Sequence, residues 1–219
     1  MSHPRGAERL RCTGDGGAII VESAMILPFV VMCLCGIADF GVGFRDKITI
    51  QGALRTSVRQ LAFLANDRTV DKSTLASLNA GLGNLKNVVI QFAVVYKWDP
   101  STNPNGDVPA ACLTTSKLNS GSGVNGVCNV YTGPGTGGAF NQILFNGSWV
   151  MSGNATPGNA CTTGWDQYWC TTTRKRAIND PPDWAGMWIR VTYTPFTKMF
   201  RTSITMEDDA IIRLEPKAG

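Results

Sequence analysis

The sequence predicts an α+β fold: a long N-terminal membrane-spanning helix packed on a small antiparallel β-sheet head with a disulfide-stabilised loop region. Three observations predict it. An apolar run occupies residues 18–44. Strongly β-forming segments follow at 88–96, 187–194 and 203–214, the last two spaced as a hairpin. Four of the seven cysteines fall in the C-terminal part of the chain, around a long stretch poor in charge. Helix first and strands later is the α+β order.

The helix is read first. Residues 1–17 are short, polar and glycine-rich at their end, as in a leader. The 27 residues from Ala18 to Phe44 reach about 40 Å as a helix, against about 30 Å of hydrocarbon in a bilayer. This run is longer than the core of a cleaved secretory signal, about 7–15 residues, so an uncleaved anchor is favoured over a cleaved signal. Pro28 marks a kink site. Two carboxylates interrupt the run, Glu22 and Asp39, each near an end, where a charge reaches the interface more cheaply than at the centre. From 45 to 65 the apolar residues Ile48, Leu54, Val58, Leu61 and Ala65 recur mostly at three- and four-residue spacings, which predicts an amphipathic continuation of the same helix.

Residues 66–219 are expected to form one head domain. A short helix is predicted over 72–81 with Asp71 as its cap. Residues 99–173 carry only four charges, Asp99, Asp107, Lys117 and Asp166, and read as a long loop. Disulfides explain how such a loop stays ordered. Cys112, Cys128, Cys161 and Cys170 allow three connectivities, of which the local pairs Cys112–Cys128 and Cys161–Cys170 are preferred. Arginines flank the span on both sides, so the positive-inside rule gives no orientation. The cysteine distribution places the C-terminal domain in an oxidising compartment outside the cytoplasm.

Gly17, then Glu22-Ser23-Ala24, Leu27-Pro28 and Gly36-Ile37-Ala38-Asp39-Phe40-Gly41 resemble the start of a type IV pilin-like subunit. The resemblance is to the TadE-like minor pseudopilins of the tight-adherence (Tad) pilus system, and 191–196 with 210–215 resemble that family's closing hairpin. The resemblance implies insertion in the bacterial inner membrane with the N-terminus cytoplasmic. It also implies cleavage by a prepilin peptidase between Gly17 and Ala18. The implied partners are that peptidase, other pilin or pseudopilin subunits, the inner-membrane assembly platform and membrane lipid. The chain's size fits a minor subunit of a secretion or adhesion filament. Cleavage would place a free amine at Ala18 about one turn from Glu22 of a neighbouring helix. An unpaired carboxylate in a low-dielectric environment is expensive, and pairing it with an amine sets register between subunits.

Other chemistry finds little support. His3 is the only histidine and lies in the leader, so no histidine-based triad or zinc site is expected in the mature domain. The outer cysteines lack metal-site spacing. No cofactor, metal, catalytic residue or nucleic-acid partner is expected, the net charge of +4 being small and spread out. The run Arg174-Lys175-Arg176 reads as a solvated turn, or as a contact for an anionic partner. Glu207, Asp208 and Asp209 read as a solvated hairpin face. The six tryptophans read mainly as core. Trp165, Tyr168 and Trp169 offer an alternative, an exposed surface for a partner, a glycan or another surface ligand. Two further functions compete with the pilus subunit: an uncleaved envelope adhesin or binding protein, and a weaker carboxylate hydrolase using Asp166 and Asp180.

Overall fold

The computed structural model describes residues 16–64, 67–133, 166–176, 181–198 and 201–216. Helix α1, Gly16–Leu64, is one 49-residue element that runs through Pro28 without interruption. Its two halves have different surroundings. The first is exposed, while the second buries Ile50, Leu54, Val58, Leu61 and Ala62 in the head core. The buried stripe therefore starts at Ile50, and Ile48, expected on it, is 54 % exposed. Ala65 lies outside the described residues.

Helix α2, Val70–Leu82, lies against α1 and contributes Leu75, Leu78 and Leu82 to the same core. Gly81 permits the approach. A Cβ there would stand 2.7 Å from the Ala53 Cβ on α1. The end of α1 is tied down by later chain. Arg176 Nη2 donates to the Phe63 carbonyl at 3.3 Å, and the Glu215 N–H to the Ala62 carbonyl at 3.4 Å. Both carbonyls belong to the last turn of the helix, which has no intrahelical donors left.

Four antiparallel strands form the sheet: β1 Val88–Trp98, β2 Cys128–Thr132, β3 Trp184–Tyr193 and β4 Ile204–Arg213, in the order β2-β1-β3-β4. β3 and β4 form the expected hairpin, pairing from Trp184–Arg213 to Tyr193–Ile204. A bulge falls between Ile90 and Phe92. It explains an odd spacing in the core: Ile90, Ala93 and Val95 share the helix-side cluster, whereas Phe92, Val94 and Tyr96 face the other way. One extra residue inverts the alternation, so Ile90 and Ala93 reach the same face.

The second face of the sheet is also covered. Residues 99–127 fold over it with a 3₁₀ turn at Ala110–Cys112 and a short helix α3, Thr115–Ser120. Cys112 and Cys128 form a disulfide and are both fully buried, packed with Leu118, Val130 and Trp188. The region expected as a loop thus holds a strand, β2, and a second small core. It lacked a readable pattern because all five residues of β2 are buried, so the polar Asn129 and Thr132 lie inside among apolar neighbours. The pair Cys161–Cys170 lies outside the described residues, although Cys170 itself is disulfide-bonded.

Candidate functional site: the exposed helix and its seat on the head

Apart from Glu22 and Ser23, the surface of α1 is apolar from Ile19 to Leu34, with Ile19, Ile20, Met25, Leu27 and Phe29 each more than 60 % exposed. Burial begins only at Cys35 and Gly36. Residues 19–38 span about 30 Å at about 1.5 Å per residue, the thickness of a bilayer's hydrocarbon core. α1 is long and apolar enough to cross a membrane. Gly17 and Ala18 lie in the first turn of the helix, and Glu22 follows on an exposed position without a hydrogen bond or ion pair among the described residues. Cys33 and Cys35 are free thiols.

Asp39, the second carboxylate of the run, is engaged. Its Oδ1 accepts the Thr197 N–H at 3.1 Å, and its Oδ2 accepts the Thr197 hydroxyl. Thr197 lies in the β3–β4 connection, so this residue seats the tip of the hairpin on α1. Two turns further Asp46, 2 % exposed, pairs with Arg45 at 2.9 Å. Glu22 and Asp39 are 17 residues apart, about 26 Å along the helix axis. The two acids thus bracket the bare part of α1, one open and one closed by the head.

A second polar constellation lies inside the head. Asp71 is fully buried in the first turn of α2, and no side-chain cap forms at that helix start, so its expected role as a cap is not what the structure shows. Arg174, also buried, brings Nη1 to 2.8 Å from Asp71 Oδ1 and donates from Nη2 to Oδ2 at 2.9 Å. Oδ2 accepts in addition from the Tyr131 hydroxyl at 2.7 Å and from Asn129 Nδ2 at 2.9 Å. Asn129 closes a two-way pair with the Trp169 backbone, and the Arg174 guanidinium lies 4.1 Å from the Trp169 ring centroid. Burial first, and then the Asp71 charge, pushes the Tyr131 phenol well above its usual range. It therefore remains a donor. Asp166, buried next to this cluster, is pushed up by burial and then by Asp71.

These contacts revise three sequence expectations. The basic run 174–176 is neither a solvated turn nor an open anion site: Arg174 is interior, and Arg176 binds the Phe63 and Glu215 carbonyls. Trp169 is 3 % exposed and belongs to the core rather than to a partner surface. Tyr168 is half-buried, with the Lys117 ammonium 5.8 Å from its ring centroid, and Trp165 lies outside the described residues. Asp166 packs inside the cluster, and Asp180 lies outside the described residues. One signal would have found the buried acid. Asp71, Leu75, Leu78 and Leu82 follow each other at helical spacing, so Asp71 stands on the apolar stripe of α2.

The geometry defines a class: a small α+β head, closed by a buried ion pair and a disulfide, carried on one apolar helix of membrane-spanning length. The N-terminal segment is similar to that of TadE-like proteins. Residues 17–59 match the family model described as TadE-like protein. The matched segment begins at Gly17, contains Glu22, Pro28 and Asp39, and ends where α1 is packed on the head. No curated protein and no solved structure matches the chain.

Proposed function

We propose that this chain is a minor pseudopilin of a Tad-type pilus, held in the inner membrane by α1 with its head on the extracytoplasmic side. The observation that carries the reading is the bare first half of α1. It starts at the Gly17 where the family match begins, exposes one carboxylate, Glu22, that has no partner among the described residues, and apart from Ser23 is otherwise apolar through Leu34. Such a surface is suited to two environments: lipid, and the equivalent helices of neighbouring subunits.

The proposed sequence of events is short. A prepilin peptidase cuts between Gly17 and Ala18, and the new amine at Ala18 pairs with Glu22 of an adjacent pilin or pseudopilin subunit. The pair relieves the cost of a lone carboxylate in lipid and fixes the axial offset between helices. The assembly platform then takes up a subunit whose head is already folded.

Mass spectrometry of the chain from cells with and without the peptidase tests this. The expected N-terminus is Ala18 in the first and the uncut leader in the second. The uncut chain in both would instead favour a permanently anchored adhesin. Glu22→Gln should leave the cut intact and reduce filament assembly, and normal piliation in that variant would remove the assembly role.

A further inference from the structure

An open groove of about 470 Å³ lies between α1 and the β3–β4 hairpin. Phe40 and Phe44 line it from the helix, Ile204 and Met206 from β4. Gly43 leaves room at the helix, where a Cβ would come within 3.4 Å of the Tyr193 ring. The lining is largely apolar, but it includes two cations, Lys47 and Arg201. Neither has a hydrogen bond or ion pair among the described residues. The acid of the groove, Asp39, is already occupied by Thr197. Tyr193 completes the polar set. It is 1 % exposed, and its hydroxyl has no hydrogen-bond partner among the described residues.

The position of the groove selects its occupant. It opens at Asp39, where the bare length of α1 has just covered about 30 Å, and so at the level of lipid headgroups. Phe40, Phe44 and Phe196 are 76 %, 68 % and 83 % exposed there. Exposed apolar rings next to cations at the end of a span suit a membrane interface, the rings facing acyl chains and the cations the headgroups. A ligand for this groove needs an apolar chain continuous with the bilayer and an anionic head that takes two cations and one donor.

We infer that the groove seats one anionic phospholipid, with its phosphate between Lys47 and Arg201, a lipid oxygen accepting from the Tyr193 hydroxyl, and an acyl chain along Phe40 and Phe44. The inference rests on α1 being a membrane anchor but not on its cleavage or on Glu22. The lipid would cover the apolar seam between helix and hairpin and fix the height of the head above the bilayer.

Native mass spectrometry of the full chain, released from nanodiscs made of equal phosphatidylglycerol and phosphatidylcholine, tests the site. The expected result is one retained phosphatidylglycerol, preferred about thirtyfold, the selectivity that two interfacial cations at about 1 kcal/mol each confer. Lys47→Gln with Arg201→Gln should abolish the preference while leaving any phosphatidylcholine retention unchanged. Tyr193→Phe, which keeps the ring, should weaken retention about threefold, as for the loss of one hydrogen bond. Equal retention of the two lipids, or retention insensitive to all three substitutions, overturns the proposal. So does displacement by inorganic phosphate alone, or a two-chain species abolished by the same substitutions, which would make the groove a seat for a second copy. A chain that fails to enter the nanodisc refutes the anchor itself, a result distinct from an inserted chain with no lipid preference.

Discussion

Replacing Asp71 with asparagine keeps the side chain's shape and removes the charge that Arg174 is buried against. Both side chains are 0 % exposed, so solvent does not screen the loss. The wild-type carboxylate is surrounded only by donors: two guanidinium nitrogens, the Tyr131 hydroxyl and Asn129 Nδ2, all within 2.9 Å. Asparagine would turn one oxygen into an NH₂ group facing either Arg174 or the Tyr131–Asn129 side, a donor against donors. Leaving one partner of a buried pair uncompensated costs about 3–5 kcal/mol. For a chain of this size each kcal/mol moves the midpoint by about 2–4 °C, so Asp71→Asn should lower Tm by about 6–20 °C. Thermal unfolding of the full chain in detergent, followed by near-ultraviolet circular dichroism of the head tryptophans, reads the change. A second variant separates charge from shape. Arg174→Met added to Asp71→Asn should recover part of the loss, because the stranded cation is gone. A single variant within about 0.5 kcal/mol of wild type, the range of an ordinary surface substitution, would refute the reasoning, as would a double variant worse than Asp71→Asn alone.

Asp166 should behave in the opposite sense. Its carboxyl is pushed above the usual aspartate value by burial and by Asp71. The folded state thus binds the proton more tightly than the unfolded chain does. The contribution of Asp166 is therefore unfavourable above its raised folded-state pKa, and that penalty is relieved as pH falls through it. Asp166→Asn is expected to raise Tm at neutral pH and to change it little near the ordinary aspartate range, as a pair of melts at the two pH values would show. Removing the Cys112–Cys128 cross-link, whose halves are 16 residues apart, should cost about 3 kcal/mol in the chain-entropy account; serine at both positions and a denaturant titration measure it. Gly186→Ala would place a methyl carbon 2.3 Å from the Tyr96 ring. A destabilisation of about 1–3 kcal/mol, the usual cost of overpacking, is expected in the same titration.

The parts of the fold legible in the sequence are those whose pattern is local. The apolar run, the helical spacing of Leu54, Val58 and Leu61, and the β-rich segments that became β1, β3 and β4 each report on their own neighbours. β2 escaped because it is a short inner-facing segment without alternation, and its Asn129 and Tyr131 find their partner, Asp71, far away in the chain. The bulge in β1 escaped for a related reason: a shifted face is visible only when the opposing strand is known.

The candidate site divides along the same line. Glu22 stood out because a charge among apolar residues is anomalous by itself. Asp39 was equally anomalous, yet its meaning depended on Thr197, 158 residues away. Arg174 and Asp71 are separated by 103 residues, and each had an ordinary local reading, as a turn cation and a helix cap. The contrast between the two acids of α1 follows from their partners. The head engages Asp39 through the Thr197 N–H and hydroxyl, so that residue fixes how the hairpin sits on the helix. Glu22, about 26 Å away on the bare end, is left without a partner among the described residues. Of the two charges in the apolar run, Glu22 is therefore the one left open for the subunit contact proposed above.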